Sequence, residues 1–499
     1  MILRPRYDDI KIIFYYLGKV IIGIGILMFV PLLVSLMFKE WDATFDYLIG
    51  IAASILFGSL FIRLFYTKEE MGWMHGMVVA SLSWLVATLL SAIPLYLSGH
   101  FLGFLDTCFD TMSGYATTGL TLIRDLDHLA NAHNMWRHFI MYIGGQGIIV
   151  VALTFLIKAG GTLTMYVGEA RDEKILPNVI HTARFIWLVS LVYLGIGTIA
   201  LTIVSVYEGM PLVRAFFHGM WIFMAAWDTG GFAPQSQNVL YYHSMPFEII
   251  TISVMALGAL NFKLHYAVWT GNKKEIFKNI ESVTLFITIV TMFSLCAVGL
   301  SRLGVYPEAI SLFRKGFYQI ISGHVGTGYQ TIYARQFVLE WGGLAMVAVT
   351  IAMALGGCAC STAGGIKALR IGIIFKALRQ DIKRIMVPPD SIMLQKFHHI
   401  KDMVLEDKHV RPAAIIALCY LLLYFGGAII GMLCGYSPLQ ALFESVSAAA
   451  NVGLSCGITN ASMPILLKLT YMFQMWIGRL EFMSVFALFG FIVAMVKGK

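Results

Sequence analysis

The chain has 499 residues, of which 58% are hydrophobic and only 13% charged, with a mean hydropathy of +0.77. This composition excludes an ordinary soluble domain and makes lipid the solvent for most of the chain. The net charge of +8 is gathered in short basic stretches, which suits topology signals at a membrane face, and no nucleic-acid partner is expected.

In chain order, apolar runs long enough to cross a bilayer, about 20 residues each, recur at roughly 12–37, 76–97, 138–157, 185–206, 283–300, 413–434 and 471–496. Less clean runs lie near 46–66, 247–270 and 338–378. About ten spans are expected from these runs, all helical. The first is too long for a signal-peptide core and is expected to stay in the mature protein. Basic linkers at about 159–184, 263–280 and 379–411 face the cytoplasm by the positive-inside rule, and Arg4, Arg6, Lys11, Lys497 and Lys499 place both termini there.

With those linkers on one side, each intervening segment crosses an even number of times. Each holds two apolar runs flanking a shorter segment that cannot span, at roughly 105–118, 211–230, 307–327 and 438–452. Three short segments open on Pro211, Pro307 and Pro438, and the first has Asp106 in that place, residues suited to a first helical turn or a cap. All four end in glycine followed by a large apolar or aromatic residue: Gly119-Leu120, Gly231-Phe232, Gly328-Tyr329 and Gly453-Leu454. These glycines stand 112, 97 and 125 residues apart, a spacing too regular to dismiss and too long for a solenoid. The expected fold is an all-α polytopic membrane protein: four helix, half-helix, helix repeats in pseudo-fourfold symmetry around a pore, with an N-terminal helix pair. The divisions fall at 1–72 for that pair, then 73–175, 176–279, 280–400 and 401–499.

Helix direction supplies the chemistry. Four half-helices entering from outside aim C-terminal ends, each carrying about half a negative charge, at a shared axis. Loops of Thr117, Thr118, Gly119; Thr229, Gly230, Gly231; Gly326, Thr327, Gly328; and Asn451, Val452, Gly453 follow them. Their carbonyls can replace the hydration shell of an alkali cation, as K+ channel filters do, and glycine permits the backbone this requires. Helix packing through small residues explains most single membrane glycines, but four in register point to a pore. Acids Asp106, Asp110, Asp125 and Asp127 cluster around the first loop and would lend the outer mouth a negative field. Asp228 either raises cation occupancy or braces its loop from off the axis. His138, His218, His265 and His324 read as packing or hydrogen-bonding residues.

Gly356, Gly357, Cys358, Ala359, Cys360, Ser361, Thr362, Ala363, Gly364, Gly365 and Lys367 interrupt the second span of the third repeat. An intact helix disfavours this run, since each interior glycine costs about 1 kcal/mol relative to alanine. An intramembrane loop that obstructs permeation is expected, with close helix packing as the alternative. The run lacks the G-x-x-x-x-G-K-[ST] spacing of a phosphate loop. Arg479 sits within the last apolar run, where a charge costs about 2.5–3.5 kcal/mol at mid-membrane. It either faces the pore and repels cations or pairs with another repeat. Glu481, two residues on, would point away from it on a continuous helix.

The stretches Thr117 to Thr121, Gly230-Gly231-Phe232, Thr327-Gly328-Tyr329, Trp136-Arg137-His138 leading into Gly144 to Ile149, Asn261 to His265, Gly356 to Lys367 and Gly478 to Glu481 resemble the TrkH/KtrB superfamily of potassium transporters, closest to its TrkH branch. The resemblance covers nearly the whole chain. It implies K+ as the transported ion bound at the filter residues, gating by the 356–367 loop, a barrier at Arg479, a homodimer in the inner (plasma) membrane among its lipids, and a cytoplasmic nucleotide-binding regulatory subunit of the TrkA type. No organic cofactor is expected. The spans are nearly free of acids apart from Glu481, which favours passive conduction over an H+- or Na+-coupled symporter. A less selective K+/Na+ transporter stays open. No clustered acids or histidine ligands suggest an enzyme.

Overall fold

The computed structural model describes residues 5–150, 162–170, 175–176, 178–388 and 394–497. Residues 151–157 of the expected 138–157 span, Arg171 and Lys174 of the first basic linker, and Arg4 and Lys499 lie outside the described residues. The N-terminal pair is a long apolar helix over Tyr7–Phe38, followed by Trp41–Leu64. The reversal is made at Lys39, whose φ is 59°, and Glu40 N–H closes it on the Ser35 carbonyl at 2.8 Å. Glycine at 58 lets the two helices touch backbone to backbone: a Cβ there would lie 2.9 Å from the Gly18 carbonyl oxygen.

Each of the four repeats begins with a long apolar helix: Trp73–Leu97, Val179–Tyr207, Ile280–Arg302 and Asp407–Leu433. Their outer faces keep Ile203, Phe286 and Leu422 exposed, as expected where lipid replaces water. The half-helices follow at Phe104–Tyr115 and Leu212–Trp227, at Ala309–Ser311 continuing through a π turn, Leu312–Phe317, into Tyr318–His324, and at Pro438–Ala449. Their C-terminal turns are buried throughout. Pro438 opens its helix at the first position, whereas Pro211 is the residue before the helix and Pro307 stands outside it. Asp106 does not cap the first half-helix: Gly103 holds the cap position.

The second helix of every repeat is broken. Asn131–Gln146 stops at Gly147, where φ is 98°. Met245–Gly258 bends by 99° into Phe262–Trp269, and Ile465–Arg479 bends by 110° into Met483–Lys497. Gly342–Ala354 gives way to a loop before Ala368–Ile385. The expected continuous runs 138–157, 247–270 and 471–496 are therefore corrected. Each break carries a polar residue, Gln146, Asn261 or Glu481, but it is too short to interrupt the apolar run around it, and the freed backbone groups are met by neighbouring protein instead of water. Among the described residues, six helices are long and apolar enough to span, or up to eight with each bent pair counted as one, against the ten expected.

Lys396–His399 and Lys401–Val404 form an antiparallel hairpin with His398 opposite Asp402. Ile400 turns it with φ of 62°. Its Phe397 packs with Ile280, Ile373, Leu405 and Ala413, which seats the hairpin on the third repeat.

Candidate functional site

All four half-helices end in one backbone plan. The second residue past each half-helix has positive φ: Thr117 (51°), Thr229 (50°), Gly326 (78°) and Asn451 (55°). Two residues on stand Gly119 (87°), Gly231 (73°), Gly328 (80°) and Gly453 (93°). Between them, the N–H groups of Thr118, Gly230, Thr327 and Val452 donate to the carbonyls of Ser113, Ala225, Ser322 and Ser447, at 2.8 Å in every case. Holding Thr117, Thr229 and Asn451 left-handed costs about 1–3 kcal/mol each, so the surrounding packing must impose it.

The loops meet in a closed circuit. A Cβ on Gly119 would run into the carbonyl oxygen of Gly230, one on Gly231 into that of Thr327, one on Gly328 into that of Val452, and one on Gly453 into that of Thr118. Each glycine abuts the next loop in chain order, and the fourth returns to the first. All the candidate filter residues are thus brought together around one axis.

The breaks in the second helices lie against the same assembly. Cβ atoms on Gly144, Gly258 and Gly478 would strike the carbonyls of Tyr115, Trp227 and Ala449 at the half-helix ends. The 356–367 segment packs there too. The Thr362 hydroxyl donates to the carbonyls of Trp227 (3.0 Å) and Gly258 (2.9 Å) and receives that of Thr229 at 3.2 Å. The segment closes on itself through Gly356 N–H to the Ile366 carbonyl at 2.9 Å and Ile366 N–H to the Ala354 carbonyl at 3.1 Å. It is pinned by Cys358 N–H on the Ala259 carbonyl at 2.9 Å, by Ala359 N–H on Glu281 Oε1 at 2.5 Å, and by Lys367 Nζ on the Ala363 carbonyl. It is an ordered loop, not a packed helix.

Arg479 ends its helix. Its guanidinium donates to the carbonyls of Thr362 in the loop and of Gly144 (2.7 Å) and Gly145 (3.0 Å) at the first break. One cation thereby ties the fourth repeat to the third and the first. Glu481 is not on that helix: its φ is 49°, and it reaches Lys367 at 3.6 Å and Arg370.

The acids have partners. Asp110, fully buried, takes a two-point hydrogen bond from Arg137 at 2.8 and 3.3 Å. Asp106 receives Lys468 Nζ at 2.6 Å, Asp127 receives Ser236 N–H at 2.8 Å, and Asp125 holds His128 at 2.9 Å. Asp106 and Asp110 are thus each paired with a cation, whereas Asp127 is met by a neutral serine. Asp228 accepts from Gln146 Nε2 at 2.7 Å and fills the space beside Gly145, the geometry of a brace. Buried acids are also more numerous than the apolar runs suggest: Glu281 and Glu444 are fully buried. Glu281 spans the second and third breaks, accepting Asn261 Nδ2 at 3.0 Å as well as Ala359 N–H. The signal for it was Asn261 inside an apolar run, a capping residue where no helix end is otherwise marked. His138, His218, His265 and His324 bond to Asn134, Tyr242, Leu257 and Thr288.

A family profile described as TrkH, a cation transport protein, matches residues 43–495. The chain belongs to the TrkH family. Relatives of this TrkH-family chain include an uncharacterized cation transporter of Methanocaldococcus jannaschii, 31% identical over 98% of this chain and 97% of that one. The Trk system potassium uptake protein TrkG of Escherichia coli is 27% identical, covering 97% of this chain and 98% of its own. The crystal structure of the potassium transporter TrkH from Vibrio parahaemolyticus shares the fold, with a TM-score of 0.81 at 23% identity over 96% of this chain and 98% of that one. The TrkH-family chain is accordingly a multi-pass membrane protein of cation transport, built as four pore-type repeats with an N-terminal helix pair.

Proposed function

We propose that the chain takes up K+ by channel-like permeation through the ring of four loops, with main-chain oxygens at Thr118, Gly230, Thr327 and Val452 replacing ion hydration. The closed circuit of glycine and carbonyl contacts is the observation that carries this reading, since non-helical backbone within a membrane persists only when buried in protein or lining a wet path. Relatives named as potassium uptake proteins support the ion assignment. The 356–367 loop is the gate and Arg479 the latch that holds it while opposing cations. Glu281, from the second-to-third boundary, anchors the gate's other side. The buried acids near the loops are engaged in hydrogen bonds, which supports conduction over coupled symport. Two such chains form the working unit, both termini are cytoplasmic, and a nucleotide-binding subunit of the TrkA type docks where the 396–404 hairpin and its basic surroundings stand.

The test is a reversal-potential measurement on the purified protein in a planar bilayer with K+ on one side and Na+ on the other. A potential on the K+ side is expected. A Gly231→Ser variant, whose side chain meets the Thr327 carbonyl, should lose K+ current, and retention of the wild-type potential by that variant would refute the filter.

A further inference from the structure

The four loops share one backbone but are held from behind by different chemistry. Seven residues before the left-handed turn stand Asp110, Ile222, Gln319 and Glu444. In three of the four repeats this residue reaches forward to a hydroxyl just beyond the filter glycine. Asp110 Oδ1 receives the Thr121 hydroxyl. Gln319 Nε2 donates to Thr331 Oγ1 at 3.1 Å. Glu444 Oε1 receives the Ser455 hydroxyl at 2.7 Å and Thr459 N–H at 2.9 Å, and its Oε2 receives Cys456 N–H at 3.0 Å. All three side chains are fully buried.

The second repeat has Ile222, which cannot do this. Its loop is reached instead from the neighbouring repeat: the Tyr329 hydroxyl, fully buried, donates to the Ile222 carbonyl at 2.8 Å and approaches the Phe232 carbonyl at 3.3 Å. From the other side, the Arg137 guanidinium that binds Asp110 lies 4.1 Å from the centre of the Phe232 ring.

We infer that these residues are positioning residues for ion discrimination: Asp110, Gln319 and Glu444 fix the exit of their own loops, and Tyr329 does so for the second. The inference rests on the filter reading above. A loop that can relax inward after its glycine would accommodate the smaller Na+ as readily as K+, so selectivity should depend on side chains that never contact the ion. Glu444 bears most of this duty, since it alone accepts from three residues of the chain leaving its loop, Ser455, Cys456 and Thr459. Tyr329 gives the mildest disturbance, because its phenylalanine analogue keeps the ring and removes only the hydroxyl.

The experiment compares wild type, Tyr329→Phe and Glu444→Gln by bi-ionic reversal potential in bilayers, with thermal unfolding in detergent beside it. Tyr329→Phe should lower the K+ over Na+ permeability ratio roughly two- to tenfold, the size of one lost buried hydrogen bond, while its unfolding temperature and total current stay near wild type. Glu444→Gln should lower the ratio further. A Tyr329→Phe protein that folds and retains the wild-type ratio overturns the inference, even if Glu444→Gln fails to fold. Wild type without K+ preference overturns the underlying filter reading instead, so the two failures are separate.

Discussion

Arg479 shows how much one side chain can carry at the end of a helix. A guanidinium offers five donors in a fixed plane, and three main-chain carbonyls from two other repeats receive them. Such contacts offset the desolvation of a partly buried arginine, and they also secure the loop it touches. Arg479→Ala removes both charge and latch. K+ flux into proteoliposomes is expected to rise about fivefold or more, because a unit charge about 4 Å away contributes at least ~1 kcal/mol to an ion's barrier even in a watery medium. Arg479→Lys keeps the charge without the planar fork and should give an intermediate flux. Unchanged flux in a well-folded Arg479→Ala protein would rule out the barrier. That Arg479 needed a partner was legible from its place in an apolar run. That carbonyls of two broken helices would supply it was not, because a main-chain acceptor leaves no residue-type signature.

At the scale of elements, the half-helices were readable and the helix breaks mostly were not. Glycines repeating in register and short segments between long ones marked the former. A break shows in sequence only where it is long and glycine-rich, as at 356–367; the bends after Gly258 and Arg479 occupy three residues each, with one polar residue apiece, Asn261 and Glu481. The 396–404 hairpin was also invisible inside a charged linker. It is held by His398, which bonds Asp402 at 2.7 Å and Glu275 at 3.2 Å. These carboxylates, Asp402 first, raise the histidine above its ordinary pKa of 6.5, and Asp402 is lowered from 3.8 in return. A raised histidine contributes its docking fully below pH 6.5 and loses it as pH climbs through the folded-state value. The lowered aspartate extends that window down past pH 3.8. Hydrogen exchange of residues 396–404, corrected for the intrinsic rate, should therefore show more protection at pH 6 than at pH 8, and His398→Ala should abolish the difference. Through Glu275, Asn279 and Glu281 the hairpin stands next to the 356–367 loop: His399 lies 3.3 Å from Asn279 Oδ1 and 3.7 Å from Glu281.

For the whole molecule, the N-terminal pair is more than an appendage. Glu40, at its turn, accepts Asn131 N–H at 2.8 Å and Ala132 N–H at 2.9 Å, capping the second helix of the first repeat from another element. Tyr47 adds a 3.2 Å bond to the Ala132 carbonyl. Glu40→Ala should cost about 1 kcal/mol, the usual loss on removing a cap, seen as a lower thermal midpoint in detergent with the K+ over Na+ ratio unchanged. A changed ratio would mean the pair acts on the filter as well as on stability. The pair itself was legible as two apolar runs preceding the first repeat, but a carboxylate capping a helix some ninety residues away belongs to tertiary structure alone.

Because the four quadrants are written into a single polypeptide, their order around the axis cannot be permuted, and Thr117, Thr229, Gly326 and Asn451 occupy equivalent corners with unlike chemistry. A mutation in a tetramer of identical subunits strikes such a ring four times at once; here it strikes a single quadrant. The ring of loops can therefore be altered in quarter steps, a freedom that rotational identity denies to assemblies of identical parts.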